Sequence, residues 1–204
     1  MLIAVQPNLV VGAAGAVLAL ITGSLLVADW RDLTELRDWE ATFETDATAL
    51  PPRSATVGPA PNNKATERHN LTHENVTTVR VELTWTDPSF PASAPEVRLT
   101  VRDSANRVRG SAAHRGGAVG IEVDVEIVPV DDVPDGRHRF SARDDPLDVF
   151  YQRWPPHPEG QGIWTFEVHN TASGTGAGSI VYTLRVEYDH YQGSVREIPK
   201  EPSR

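Results

Sequence analysis

Six aspartates between positions 131 and 148 are the residues of this chain best suited to bind a metal ion. They form two clusters: Asp131, Asp132 and Asp135, then Asp144, Asp145 and Asp148. Carboxylate oxygens are the ligands that Ca²⁺ prefers in proteins. However, the spacing is not that of an EF-hand, and arginines lie between the clusters at positions 137, 139 and 143. The pattern therefore favours a solvated loop with internal ion pairs, with a calcium site as the alternative.

The chain has seven histidines and no cysteine, so a zinc site would depend on imidazole ligands. His69 and His73 have the i, i+4 spacing of helical zinc ligands but lack the glutamate of the H-E-x-x-H motif. His169 ends one predicted strand and His190 follows another, so the two would meet across a hairpin. We expect neither pair to hold a metal, and we predict no cofactor. Because the chain also lacks a G-x-S-x-G motif and a cysteine nucleophile, we predict that it is not an enzyme.

Three aromatic residues in the irregular segment 131–161 are the best candidates for ligand binding. Phe150, Tyr151 and Trp154 stand next to several prolines. Exposed rings of this kind stack on a glycan or a protein partner, and a loop this long in a compact domain is often functional. The alternative interpretation is that the rings close one end of the domain.

Residues 9–28 form an uncharged stretch long enough to cross a bilayer as a helix. We interpret this stretch as a retained anchor, because residues 1–8 contain no basic side chain and no good cleavage site follows. Apolar residues then recur at three- and four-residue spacing over 29–43. This spacing predicts that an amphipathic helix continues from the membrane.

Two N-x-S/T sequons begin at Asn70 and Asn75, and they favour a domain that lies outside the cytoplasm and is glycosylated. Arg31 and Arg37 follow the predicted anchor and weakly favour the opposite orientation. We predict a single-pass protein of the cell membrane with an extracytoplasmic C-terminal domain. The net charge of −9 disfavours nucleic acid as a partner.

The remainder of the chain divides by its composition and periodicity. A proline-rich linker is predicted over 44–74, a β domain over 75–192 and a polar tail over 193–204. Five segments of the β domain alternate apolar and polar side chains: 79–85, 97–101, 119–127, 164–168 and 180–188. Alternation of this kind is typical of antiparallel strands that bury one face. The predicted fold class is an all-β antiparallel sandwich, jelly-roll-like, preceded by one N-terminal transmembrane helix.

Two pairs of these segments resemble a known kind of module. GIWTFEV at 162–168 followed by YTLRV at 182–186, and VRVELTWTD at 79–87 followed by VRLTV at 97–101, resemble the ends of two related sandwich modules. These are the P domain of proprotein convertases and the bacterial pre-peptidase C-terminal domain. The resemblance covers about 75–190 and implies a non-catalytic module that stabilises or targets an attached partner. Because residues 88–95 contain no aspartate, the resemblance does not carry a calcium site to this chain.

These observations predict a membrane-anchored extracytoplasmic β-sandwich that binds or supports a protein or glycan partner. Two alternatives stay open. One is a structural subunit of a cell-surface, pilin-like filament, and the other is an accessory subunit of a membrane protein complex.

Overall fold

A computed structural model describes residues 37–86, 95–116, 118–129, 132–143, 145–171 and 178–199. Most of these residues lie in β-strands. The strands are β1 (Arg37–Ala49), β2 (Arg53–Val57), β3 (Lys64–Leu71), β4 (Val76–Thr86), β5 (Glu96–Arg102), β6 (Val108–Arg115), β7 (Ala118–Glu126), β8 (Gly136–Ala142), β9 (Gly162–Asn170) and β10 (Ile180–Glu197). The α-helix α1 spans Pro146–Arg153, and one turn of 3-10 helix spans Pro158–Gly160.

The chain divides into two compact units, and the division falls within β1, β8 and β10. The larger unit comprises Thr42–Arg137 and Trp154–Ser194. The described part of the smaller unit contains the start of β1, most of β8, α1 and the end of β10. The cleft and the charged faces discussed below belong to the larger unit.

The strands form two sheets. The first has six strands in the order β7-β4-β10-β1-β8, with β2 also paired with β10, and the second has the order β3-β9-β5-β6. Strand β10 pairs antiparallel with β4 and with β2, and β4 pairs antiparallel with β7. In the second sheet, β9 pairs antiparallel with both β3 and β5. The five segments that alternate in the sequence all lie in strands of these sheets: β4, β5, β7, β9 and β10.

One hydrophobic core joins the two sheets within the larger unit. Its largest fully buried side chains come from two strands: Trp164 and Phe166 from β9, and Tyr182 and Tyr188 from β10. Burying each such side chain stabilises the fold by roughly 1.5–3 kcal/mol. Because successive side chains of a strand point to opposite faces, the residues between these core positions face outward.

The predicted fold class is wrong in its N-terminal part. No helix among the described residues is long and apolar enough to cross a membrane. This finding contradicts a fold headed by a single-pass transmembrane helix, and the stretch predicted for that helix, 9–28, lies outside the described residues. The amphipathic helix predicted over 29–43 is wrong over 37–43, because the chain is strand β1 from Arg37 onward. The rest of that prediction, 29–36, lies outside the described residues. Trp39, Ala41 and Phe43 alternate with polar residues, and pairing in the sheet selects that period over the helical one.

The segment 44–74 is not a linker, since it contains the end of β1 and all of β2 and β3. Pro51 and Pro52 separate β1 from β2 rather than forming part of an extended spacer. Strand β3 shows no alternation of hydrophobicity because two of its inward positions carry Glu67 and His69. The segment 131–161 is predicted to be irregular, but it contains helix α1.

A buried carboxylate organises the turn between β5 and β6. The side chain of Asp103 is fully buried. Its Oδ1 accepts the backbone N–H groups of Ala105 and Arg107 at 3.0 and 2.9 Å. Its Oδ2 accepts the Nε–H groups of Arg107 and Arg109, each at 2.8 Å. Burial by itself would raise the pKa of Asp103, but these hydrogen bonds outweigh it, and the pKa lies below its ordinary value.

Replacing Asp103 with Asn keeps the shape of this side chain and removes its charge. We expect the free energy of unfolding to fall by about 2 kcal/mol, because the charge-assisted bonds are lost and two guanidinium groups lose their carboxylate. Urea denaturation measures this change. Folding lowers the pKa of Asp103. The contribution of its charge to the free energy of unfolding is therefore complete above the unfolded-state pKa of about 3.9 and is lost as the pH falls through the folded-state pKa.

The difference in the free energy of unfolding between the wild type and Asp103→Asn should therefore become smaller in acid. Asp124→Asn is the matched control, because Asp124 is exposed on β7. It should change the free energy of unfolding by less than about 0.5 kcal/mol. Equal losses in the two variants would contradict the proposed role of Asp103.

Candidate functional site

The three aromatic residues predicted to bind a ligand lie in different environments. Phe150 is buried on α1, with only 5% of its surface exposed, whereas its neighbour Tyr151 is 53% exposed. Trp154 is half-buried and packs edge-on against Phe43, with ring centroids 5.2 Å apart. Two of the three rings therefore contribute to packing, as the alternative interpretation expected.

The structure describes four of the six predicted calcium ligands, because Asp131 and Asp144 lie outside the described residues. Asp145 caps α1, since its Oδ1 accepts the backbone N–H of Leu147 at 2.9 Å. Among the residues placed by the structure, no three His, Asp or Glu side chains are grouped so that they could hold a metal ion. The calcium site therefore gains no support from the described residues.

The two sequons differ in their surroundings. Asn70 is exposed on β3. Asn75 has a positive φ of 57°, and its side chain already makes two hydrogen bonds. Its Oδ1 accepts the backbone N–H of His157 at 2.8 Å, and its Nδ2 donates to the carbonyl of Tyr191 at 3.4 Å. The geometry thus favours Asn70 over Asn75 as a glycosylation site.

The histidines do not form the pairs suggested by their spacing. His69 packs against Phe166, whereas His73 stacks on His190 with ring centroids 3.9 Å apart. His169 faces outward, and its Nε2 lies 2.7 Å from Nδ2 of Asn63. His169 and His190 therefore lie in separate environments and do not meet across a hairpin.

His190 is almost fully buried in an interior polar cluster. Its Nε2 accepts a hydrogen bond from Nε2 of Gln192 at 3.3 Å, and its Nδ1 has no hydrogen-bond partner in the described part of the chain. The stacked ring of His73 is hydrogen-bonded through Nδ1 to the hydroxyl of Tyr188 at 2.7 Å. Burial, and next the nearby His73, lower the pKa of His190, although Asp46 and Asp189 oppose this. The ring is therefore neutral at neutral pH.

A cleft of about 450 Å³ opens on the outer face of the first sheet, where the chain passes from β1 to β2. Its apolar side consists of Ala49, Leu50 and Pro52. The backbone N–H of Leu50 donates to the carbonyl of Val186 at 2.9 Å. The prolines that follow have no N–H with which to continue the ladder along β10. The cleft therefore lies where prolines interrupt strand pairing.

The charged side of the cleft comes from three neighbouring strands. Its side chains are Arg80 and Glu82 of β4, Glu122 of β7, and Arg185 and Glu187 of β10. In the register of the sheet, Glu82 lies between Glu122 on one side and Arg185 on the other. Nη1 of Arg185 lies 3.2 Å from Oε2 of Glu82. Arg80 instead pairs with Asp189 at 2.8 Å and with Glu187 at 3.7 Å.

Glu122 makes no ion pair within 4.0 Å among the described side chains. Like charges directly opposite each other across a strand pair are destabilising. The guanidinium of Arg185 neutralises Glu82 but not the opposite carboxylate, Glu122. The cleft consequently has an excess of carboxylate that suits a cationic group. The alternation within 79–85 and 119–127 predicts that Glu82 and Glu122 lie on the polar faces of their strands, but it does not indicate this site. No pattern in the sequence indicates that β4 pairs with β7.

No family model and no curated protein matches the chain. Among solved structures, the chain is similar to the serine protease of Aeromonas sobria, with 11% identity and a TM-score of 0.34 over 71% of this chain and 27% of that one. It is also similar to the complex of the same protease with the chaperone ORF2, with 10% identity and a TM-score of 0.35 over 72% of this chain and 27% of that one. The chain thus spans about a quarter of these structures. At such TM-scores the likeness carries no argument about function.

The buried histidines predict a loss of stability in mild acid. Burial lowers the pKa of both His190 and His69, with Arg53 adding to the effect at His69. Because the pKa values of these histidines in the folded protein lie below their value of about 6.5 in the unfolded chain, the unfolded chain binds more protons in mild acid. We expect the free energy of unfolding to be constant above about pH 7 and to fall as the pH drops below about 6.5.

The variant His190→Phe keeps a flat ring against His73 and cannot take up a proton. Its unfolding free energy, measured by urea denaturation between pH 5 and 8, should therefore depend less steeply on pH than that of the wild type. His114→Gln, at an exposed position, is the control and should keep the wild-type slope. An unchanged slope in His190→Phe would show that His190 does not contribute to the acid sensitivity.

Proposed function

We propose that this chain is a non-catalytic binding module that holds a protein partner, and that the cleft on its first sheet accepts a basic side chain of that partner. The observation that carries the proposal is that Glu122 lies directly opposite Glu82 and that, unlike Glu82, it makes no ion pair among the described side chains. A bound cation would relieve this repulsion.

The dimensions and lining of the cleft support this occupant. Its volume of about 450 Å³ lies within the range of roughly 300–1,000 Å³ that is typical of ligand sites. Leu50 and Pro52 provide an apolar side for the aliphatic stem of a lysine or arginine. The carboxylates provide the opposite side for its charged end.

A protein partner suits this lining better than a glycan. Glycan binding commonly uses an exposed aromatic ring on which a sugar stacks, and the residues that line the cleft include no aromatic side chain. The predicted partner binding is thus kept as a proposal, with the binding surface moved from 131–161 to the cleft.

An extracytoplasmic location of the protein also remains a proposal, and the exposure of Asn70 in its sequon supports it.

Selection of displayed random peptides on the purified protein tests this function. We expect the selected peptides to be enriched in lysine or arginine at one position. A synthetic consensus peptide should bind the Glu122→Gln variant about tenfold more weakly, which is a loss of about 1.4 kcal/mol. Asp124→Asn is the matched control, since Asp124 lies two residues away on β7 outside the cleft lining, and it should bind as the wild type does.

Peptides without basic enrichment, or equal binding by Glu122→Gln and the wild type, would overturn the proposal. A glycan array probed with the same protein provides the other arm. Binding to a neutral glycan that Glu122→Gln weakens would assign the cleft to sugars instead.

A further inference from the structure

The outer face of the second sheet is basic, although the chain as a whole is acidic. We call this surface the basic face. It carries five cationic side chains and two carboxylates: Lys64 and Arg68 on β3, Arg98, Arg102 and Glu96 on β5, Arg115 on β6 and Glu167 on β9. With His169 neutral, its net charge is +3, whereas the net charge of the chain is −9.

One row of the basic face has three basic side chains next to one another and ends at Ala113 on β6. Lys64 on β3 lies opposite His169 on β9, and His169 lies opposite Arg98 on β5. Lys64 and Arg98 make no ion pair within 4.0 Å with any described residue. Burial and these two cations lower the pKa of His169. Two cations of this row therefore have no carboxylate partner among the described residues, and an acidic partner would supply one.

The first sheet has the opposite character within the same unit. We call its outer surface over β4, β7 and β10 the acidic face. It carries six carboxylates and two guanidinium groups: Glu122, Asp124 and Glu126 on β7, Glu82 and Arg80 on β4, and Arg185, Glu187 and Asp189 on β10. Its net charge is −4, and it includes the cleft.

Two cations of the basic face and two carboxylates of the acidic face have the same separation. Lys64 and Arg68 are four residues apart on β3, and Glu122 and Glu126 are four residues apart on β7. At about 3.4 Å per residue, each pair spans about 13.5 Å along its strand. Asp124 lies between the two carboxylates and Thr66 between the two cations, so the faces match in charge and in this one separation.

We infer that the basic face is a docking surface for the acidic face of a second copy of this chain. The inference rests on the proposed function, because it identifies the protein partner as another copy that supplies Lys64 or Arg98 to the cleft. Since the two faces are different surfaces, the contact is heterologous, and each docked copy leaves one face free for the next. Asn70 lies on the same face of β3, six residues from Lys64 and two residues from Arg68. A glycan there would therefore begin about 20 Å from Lys64 and about 7 Å from Arg68.

The association is expected to be weak and sensitive to salt. Exposed ion pairs contribute about 0–1 kcal/mol each, and the Debye length falls from about 30 Å at 0.01 M salt to about 8 Å at 0.15 M. Sedimentation velocity of the wild type should show concentration-dependent self-association at about 0.01 M salt and dissociation to monomers at about 0.15 M.

Charge reversal on each face gives the decisive experiment. The variants Lys64→Glu/Arg98→Glu and Glu122→Lys/Glu126→Lys should each stay monomeric at low salt. The first changes the net charge of the basic face from +3 to −1, so that both of its faces are negative. The second changes the net charge of the acidic face from −4 to 0, so that its basic face no longer meets a face of opposite charge. Their equimolar mixture should associate again, because the intact acidic face of the first variant meets the intact basic face of the second. Arg137→Glu/Arg139→Glu changes the net charge as much as the first variant does, at exposed positions on β8, and should associate as the wild type does.

Monomers of the wild type at every protein concentration in low salt, or a mixture that fails to associate, would overturn the inference. A basic face that binds heparin in place of a second copy, with loss of that binding in Lys64→Glu/Arg98→Glu, would assign the face to an anionic polysaccharide and also overturn it. If self-association fails while the cleft still selects basic peptides, the proposed function stands without this inference. If both fail, the proposed function fails as well.

Discussion

The packing of β10 against the second sheet is the interaction on which the rest of the structure depends. This strand pairs with β4 along one edge and with β2 along the other. Its inward side chains, Tyr182, Leu184 and Val186 among them, are almost completely buried. Because a strand alternates, burying these residues also determines that Arg185 and Glu187 face solvent. Core packing and the charged cleft are therefore two consequences of one strand register.

The same alternation separates the charges of the chain into two faces. A one-residue slip in β4 or β10 would move their apolar residues out of the core and their charged residues into it, at a large cost in free energy. Net charge gives no information about this separation. The value of −9 indicates an acidic protein, yet the second sheet presents a basic face within it. An argument about partners that uses net charge alone therefore misses one of the two surfaces.

Strands β1 and β3 have sequence patterns that do not reveal a strand, and the structure shows the physical cause in each case. Strand β3 was assigned to a linker because its inward Glu67 and His69 hide the period of two. The interior accommodates Glu67 because one of its oxygens accepts a hydrogen bond from the hydroxyl of Tyr182 at 2.7 Å. Strand β1 was assigned to a helix because Trp39 and Phe43 fit a helical spacing as well as a strand spacing. In both strands, contacts in the folded protein outweigh the different structure that the local sequence pattern predicts.

The sequence by itself determined the five alternating strands and the outward position of their charged residues, because alternation is a local property of an extended chain. Only the tertiary structure decided that Glu122 lies opposite Glu82, and that Lys64, His169 and Arg98 share one row. Glu82 and Glu122 are forty residues apart, and Lys64 and His169 more than a hundred. Contacts at such separations depend on strand order and register, which are set by the packing of the whole core rather than by any local pattern.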